Sequence, residues 1–151
     1  MPRITTEIKP LLTQIATDVG LAWFTGLDAE ENPIPLTVYI GAPRTNVSPN
    51  YAVIQLDPVS AQWETMNTVI MDVQVKIYGF FKITDPDDNL EMLKLDKVDA
   101  LITKLESSAT YGSGLASLPL VQDFNLPDVD DEDWYQVEAT FTCKCSGAWG
   151  A

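Results

Sequence analysis

Three features of this chain predict an α+β fold: a mixed, mainly antiparallel sheet of four to five strands, two helices packed on one face, and a long hairpin arm. Apolar residues recur at three- and four-residue spacing in two separated segments, near 10–24 and 90–107. They alternate with polar residues in two others, 68–83 and 134–146. The length of 151 residues, with 46% hydrophobic and 21% charged residues, places all of these in one domain spanning 1–151.

Taken in order, the first helix carries Ile8, Leu11, Leu12, Ile15 and Val19 on one stripe, with Pro10 in its first turn and Gly26 as its stop. Trp23 and Phe24 near its end either fill the core or pack on a neighbouring subunit. Pro33 and Pro35 break residues 28–35 into a loop, after which Leu36, Val38 and Ile40 alternate with Thr37 and Tyr39 as a strand. A second loop, 41–50, leads to a short strand at 51–56, and residues 57–67 join it to the next. That next strand, 68–83, sets Val69, Met71, Val73, Val75, Ile77, Gly79, Phe81 and Ile83 against Ile70, Asp72, Gln74, Lys76, Tyr78, Phe80 and Lys82. At ~3.3 Å per residue it would reach about 50 Å, longer than one domain needs. Its surplus would bend over the core or project as an arm, with Gly79 a candidate bulge or bend.

Acidic residues in 84–89 suit the entry of the second helix, 90–107. Its apolar period runs through Leu93, Val98, Leu101, Ile102 and Leu105, with the stems of Lys94 and Lys97 along its edge. A short irregular strand is expected near 120–124. The closing strand alternates Tyr135, Val137, Ala139, Phe141, Cys143 and Cys145 with Gln136, Glu138, Thr140, Thr142 and Lys144, the pattern of an antiparallel strand with one wet face.

Composition narrows the function. There is no histidine, which removes the commonest general base and the usual nucleophilic triads. Cys143 and Cys145 lack further ligands at metal-site spacing and read as reduced, inert thiols. No glycine-rich phosphate loop or dinucleotide fingerprint occurs. The acidic run Asp128–Asp133 invites a calcium reading, but Asp133 and Ala139 stand where a calcium loop needs glycine and glutamate, so a solvated loop fits better. Asp85, Asp87 and Asp88 are explained by helix capping without acid–base chemistry. The expectation is a non-enzymatic protein that needs no cofactor. No apolar run approaches membrane-spanning length, and the N-terminal residues do not form a signal peptide, which suggests folding in a cytoplasm.

The net charge of −13 is uneven: residues 1–83 hold 5 basic and 8 acidic residues, and 84–151 hold 4 and 14. Such a chain repels nucleic acid rather than gripping its phosphates.

The N-terminal helix, the strand Pro35–Ile40, the long strand through Val75-Lys76-Ile77-Tyr78-Gly79, the helix Leu90–Ser107 and the closing strand Trp134–Cys145 together resemble the tail terminator, or tail completion, proteins of long-tailed bacteriophages. The resemblance spans most of the chain and rests on element order and size. It implies a structural virion protein of the tail and neck, assembled in the host cytoplasm. It implies a hexameric ring that caps the tail tube, partnered by the tube protein and the head–tail connector protein. DNA would pass through without specific binding, and no membrane is involved. A head-completion, connector or tail-tube protein is the near alternative; a small-molecule-binding or enzymatic α+β domain is the distant one. Two sets of residues are expected to serve assembly. Trp63 and Met66, large apolar groups beside the long strand, would contact a neighbour or the tube, unless Trp63 folds back on its own core. Asp85, Asp87, Asp88, Asp128, Asp130, Asp131, Glu132 and Asp133 would line the channel, unless their loops face outside solvent.

Overall fold

The computed structural model describes residues 4–41, 49–57, 60–63, 68–85, 89–107, 121–127 and 133–148. They form α1 (Ile4–Ala22), β1 (Val38–Ile40), β2 (Tyr51–Leu56), β3 (Ser60–Trp63), β4 (Thr68–Lys82), α2 (Leu90–Ser107), β5 (Val121–Asn125) and β6 (Trp134–Ala148). The sheet runs β1-β2-β4-β6-β5, with β3 added alongside β4. The β1–β2 pair is parallel and the other pairs are antiparallel. Both helices lie on one face: α1 packs on α2, β1, β2 and β6, and α2 on β5 and β6. The architecture is the expected α+β one.

The centre of the sheet is the β4–β6 ladder, which runs without a register slip from Thr68↔Ala148 to Lys82↔Trp134. Alternation decides its faces. Val73, Val75, Ile77 and Phe81 of β4 and Tyr135, Val137, Ala139 and Phe141 of β6 are buried under the helices. Gln74, Lys76, Tyr78, Phe80, Gln136, Glu138 and Thr140 between them are partly exposed. Leu11, Leu12, Ile15 and Val19 of α1 and Val98, Leu101 and Leu105 of α2 complete the same core. Each such side chain, fully buried, contributes about 1.5–3 kcal/mol through lost apolar hydration. Ile102, expected in the core, packs against it only partly.

The elements differ from the sequence reading in places that tertiary contacts explain. Pro10 lies inside α1 rather than in its first turn, since the helix starts at Ile4. The strand expected from Leu36 begins at Val38, because the Leu36 amide is taken by the Gly20 carbonyl of α1 at 3.0 Å. A side chain at Gly20 would press the Leu36 carbonyl oxygen, with its Cβ at 3.0 Å. Residues 28–35 contain an ordered turn: Asp28 Oδ1 accepts from the Glu30 and Asn32 amides at 2.9 Å each, and Leu27 bridges to Pro33. Helix α2 is capped by Asn89, whose Oδ1 accepts from the Met92 amide at 3.3 Å.

The joining segment holds a strand that the sequence reading did not foresee. β2 pairs β4 as far as Leu56↔Val75, and β3 resumes at Ser60↔Asp72. Four steps along the β2–β3 side match three along β4, so the two registers differ by one residue. The Asp57 amide still reaches the Gln74 carbonyl at 3.0 Å, and the Asp57 carboxylate pairs with Lys76 at 3.1 Å. β2 and β3 both run antiparallel to β4, and β3 with β4 makes the end of the long hairpin.

Gly79 is neither a bulge nor a bend. It sits in unbroken register between Ala52 and Val137. Its missing side chain leaves room for aromatic rings, since a Cβ there would meet Phe81 at 2.6 and 2.8 Å and Trp23 at 2.9 Å. Gly79→Ala should therefore destabilise the fold by about 1–3 kcal/mol through overpacking. Gly26→Ala, with nothing within 4 Å, should be close to neutral. Urea unfolding of the two variants would show the difference; equal stabilities would contradict the packing argument.

Candidate functional site: assembly surfaces and a lysine pocket

The hairpin end and the acidic end of the molecule are separated by the length of the β4–β6 ladder. Trp63 is the last residue of β3, opposite Val69, which pairs in turn with Gly147. Among the described residues β3 pairs with β4 alone, so it is an edge strand at this end of the sheet. Met66, in the hairpin connection, lies outside the described residues. At the other end, Asp85 follows β4 and Asp133 precedes β6, both exposed. The Ile83 amide donates to the Asp133 carbonyl at 2.8 Å, which ties the two segments together. Asp87, Asp88, Asp128, Asp130, Asp131 and Glu132 lie outside the described residues. Thirteen register steps at ~3.3 Å separate Val69 from Lys82, about 40 Å.

Among the described residues, no group of three or more His, Cys, Asp or Glu side chains could hold a metal ion. No helix among them is long and apolar enough to cross a membrane. β6 places Cys143 opposite Val73 and Cys145 opposite Met71 in the ladder.

Two further features were not anticipated from sequence. The sheet face away from the helices carries a row of aromatic rings across four strands. Tyr39 meets Tyr51 edge-on at 6.0 Å, Tyr51 stacks on Phe80 at 4.7 Å, and Phe80 tilts against Trp134 at 5.9 Å. Each is half-buried. The period-two pattern put Tyr39 and Phe80 away from the core-facing residues but could not say that the rings align, because alignment depends on the register Tyr51↔Phe80.

The second feature lies on the helix face. Phe81 is enclosed by Trp23, edge-on at 5.1 Å, and by Tyr135, tilted at 5.3 Å. The Trp23 Nε1–H donates to the Lys97 carbonyl at 2.8 Å and so locks α1 to α2. Trp23 is a core residue at 1% exposure, whereas its neighbour Phe24 is 46% exposed. Beside these rings opens a cavity of about 230 Å³, lined among others by Phe24, Asn50, Lys82 and Lys97. The Lys97 Nζ lies 4.6 Å from the Phe81 ring centroid, a cation–π distance. Burial holds the Lys97 ammonium below the ordinary lysine value of 10.5, against a smaller opposing pull from Asp96. Lys76 moves the other way, raised by its hydrogen bond and attraction to Asp57.

Two predictions follow from this geometry. A double-mutant cycle on Tyr51→Ala and Phe80→Ala should give a coupling of about 0.5–1.5 kcal/mol, as for other stacked pairs; additive losses would mean that the rings merely coexist. For Lys97, the folded state binds its proton less tightly than the unfolded chain does. The native state therefore bears a cost while the lysine is charged, and that cost fades as pH rises through the lowered value towards 10.5. Lys97→Met, which keeps an apolar stem over Phe81, should be as stable as the parent or more so at pH 7. That advantage should shrink at pH 10 in parallel urea titrations. An advantage that widens with pH would refute the assignment.

No protein-family model matches the chain, and no curated protein matches it. Among solved structures, it is similar to a chain in the virion of a native gene transfer agent particle. The identity is 14%, the TM-score 0.43, and the match covers 74% of this chain and 79% of that one.

Proposed function

We propose that this chain is a structural virion subunit of a tailed bacteriophage or phage-like particle, of the tail terminator (tail completion) kind. In this reading six copies close into a ring that caps the tail tube and joins it to the head connector, and DNA passes through without being gripped. The observation that carries the proposal is the hairpin arm. β3, the start of β4 and the end of β6 form a three-stranded end of the sheet, in which β3 is an edge strand that pairs with β4 alone among the described residues. An edge strand with unpaired backbone groups gains from a neighbour that covers it. Trp63 and Met66 belong to this arm and are assigned to the contact with the next subunit or the tube.

The charge distribution suits the same reading. Asp85 and Asp133 share one end of the ladder, and the remaining acidic positions are close to them in sequence. We assign this end to the channel, where a negative wall repels phosphates and keeps the polymer mobile. Tail-tube subunits also use arms, and the two roles differ in how assembly stops: a tube subunit stacks into filaments, whereas a terminator forms a ring of fixed size.

Electron microscopy and sedimentation of the purified protein should show one closed ring, with carboxylates of the 84–88 and 128–133 segments around its hole. Trp63→Ala should fold normally yet shift the population towards monomer. A protein that stays monomeric at all concentrations would reject the ring, open-ended filaments would reassign the chain to the tube, and an outer-rim position of the carboxylates would end the channel assignment.

A further inference from the structure

The cavity beside Phe81 holds two of the chain's nine basic residues, Lys82 and Lys97, in a protein with 22 acidic ones. Neither ammonium has a carboxylate within ion-pair distance among the described residues; the ion pairs there are Lys76–Asp57 and Lys94–Glu91. An ammonium carries three donors and no acceptor. The ring of Phe81 attracts the Lys97 charge but accepts none of those donors in the manner of an oxygen. The walls are rigid: Trp23 is held by its hydrogen bond to the α2 backbone, and Phe81 is wedged between Trp23 and Tyr135. Polar groups of Thr25, Asn50 and Thr84 complete the lining. The result is a preformed hollow in which Lys97 has the Phe81 ring and only a weak pull from Asp96 to offset its charge, and whose sign is opposite to that of the molecule.

We infer that this hollow is a socket for a carboxylate side chain of a second copy of the chain, received between Lys97, Lys82 and the aromatic wall. Size and charge select this occupant. At about 230 Å³ the cavity falls below the roughly 300–1,000 Å³ of small-molecule sites, so a single side chain suits it better than a free ligand. The richest source of carboxylates at hand is the same chain, whose net charge of −13 otherwise opposes self-association. Positioning its few cations where copies meet offsets that repulsion and sets the orientation of the contact. Lys97 is a positioning residue for the interface, and the exposed Phe24 beside it would be covered by the incoming chain.

The occupant rests on the ring reading, so the test separates the two. Sedimentation equilibrium would compare the parent, Lys97→Met and Lys97→Arg between 50 and 500 mM salt. The expected result is that Lys97→Met raises the dissociation constant of self-association at least about tenfold and flattens its salt dependence, with no loss of thermal stability. Lys97→Arg should retain most of the affinity. A parent that assembles while Lys97→Met assembles equally well would overturn the socket and leave the ring standing. A parent that never assembles would overturn both.

Discussion

The structure depends on the antiparallel pairing of β4 with β6. Each strand is 15 residues long, and the register between them holds from end to end. Because side chains alternate with a period of two, one registered pair settles the orientation of every residue in both strands, and a slip of one would send the whole core to solvent. β2, β3 and β5 attach to this pair, β1 attaches to β2, and the helices pack on one face. Features of functional interest lie at the two ends of the ladder or where its register brings side chains together.

The aromatic cluster of Trp23, Phe81 and Tyr135 shows how local choices serve this plan. Trp23 closes the end of α1, reaches across to the α2 backbone and stands on the ring of Phe81. That arrangement needs space above β4, and Gly79 provides it by having no side chain. The same cluster shapes the hollow in which Lys97 loses part of its hydration. Core packing and the charged socket are thus one construction, and a change at Gly79 would propagate to both. On the opposite face, the Tyr39-Tyr51-Phe80-Trp134 row ties four strands together at the end of the ladder nearest Asp85 and Asp133.

Much of the fold was legible in the residues themselves. The alternation in 68–83 and 134–146 named the core residues Val73, Val75, Val137 and Phe141, and the helical period named Leu11, Ile15, Leu101 and Leu105. β3 was missed because Ser60–Trp63 is a four-residue strand with only one large apolar side chain, and its existence depends on β4 being present to pair with. A glycine in a strand signals either a bulge or bend or a close approach, and only the positions of Trp23 and Phe81 show that Gly79 serves the last. Of the candidate site, Trp63 falls on the arm and Asp85 and Asp133 fall together at one end, which composition could not reveal.

The sequence by itself determined the α+β class, the two helices, the long strands, the inward face of each, and the acidic balance. These follow from short-range periodicity and composition, which do not require knowing what a segment packs against. Tertiary structure alone decided the sheet order, the pairing of both β2 and β3 with β4, the placement of arm and acidic end at opposite ends of the ladder, and the meeting of Lys97 with Phe81. Those depend on pairing between residues far apart in the chain, and periodicity along one strand carries no information about which partner strand will lie beside it.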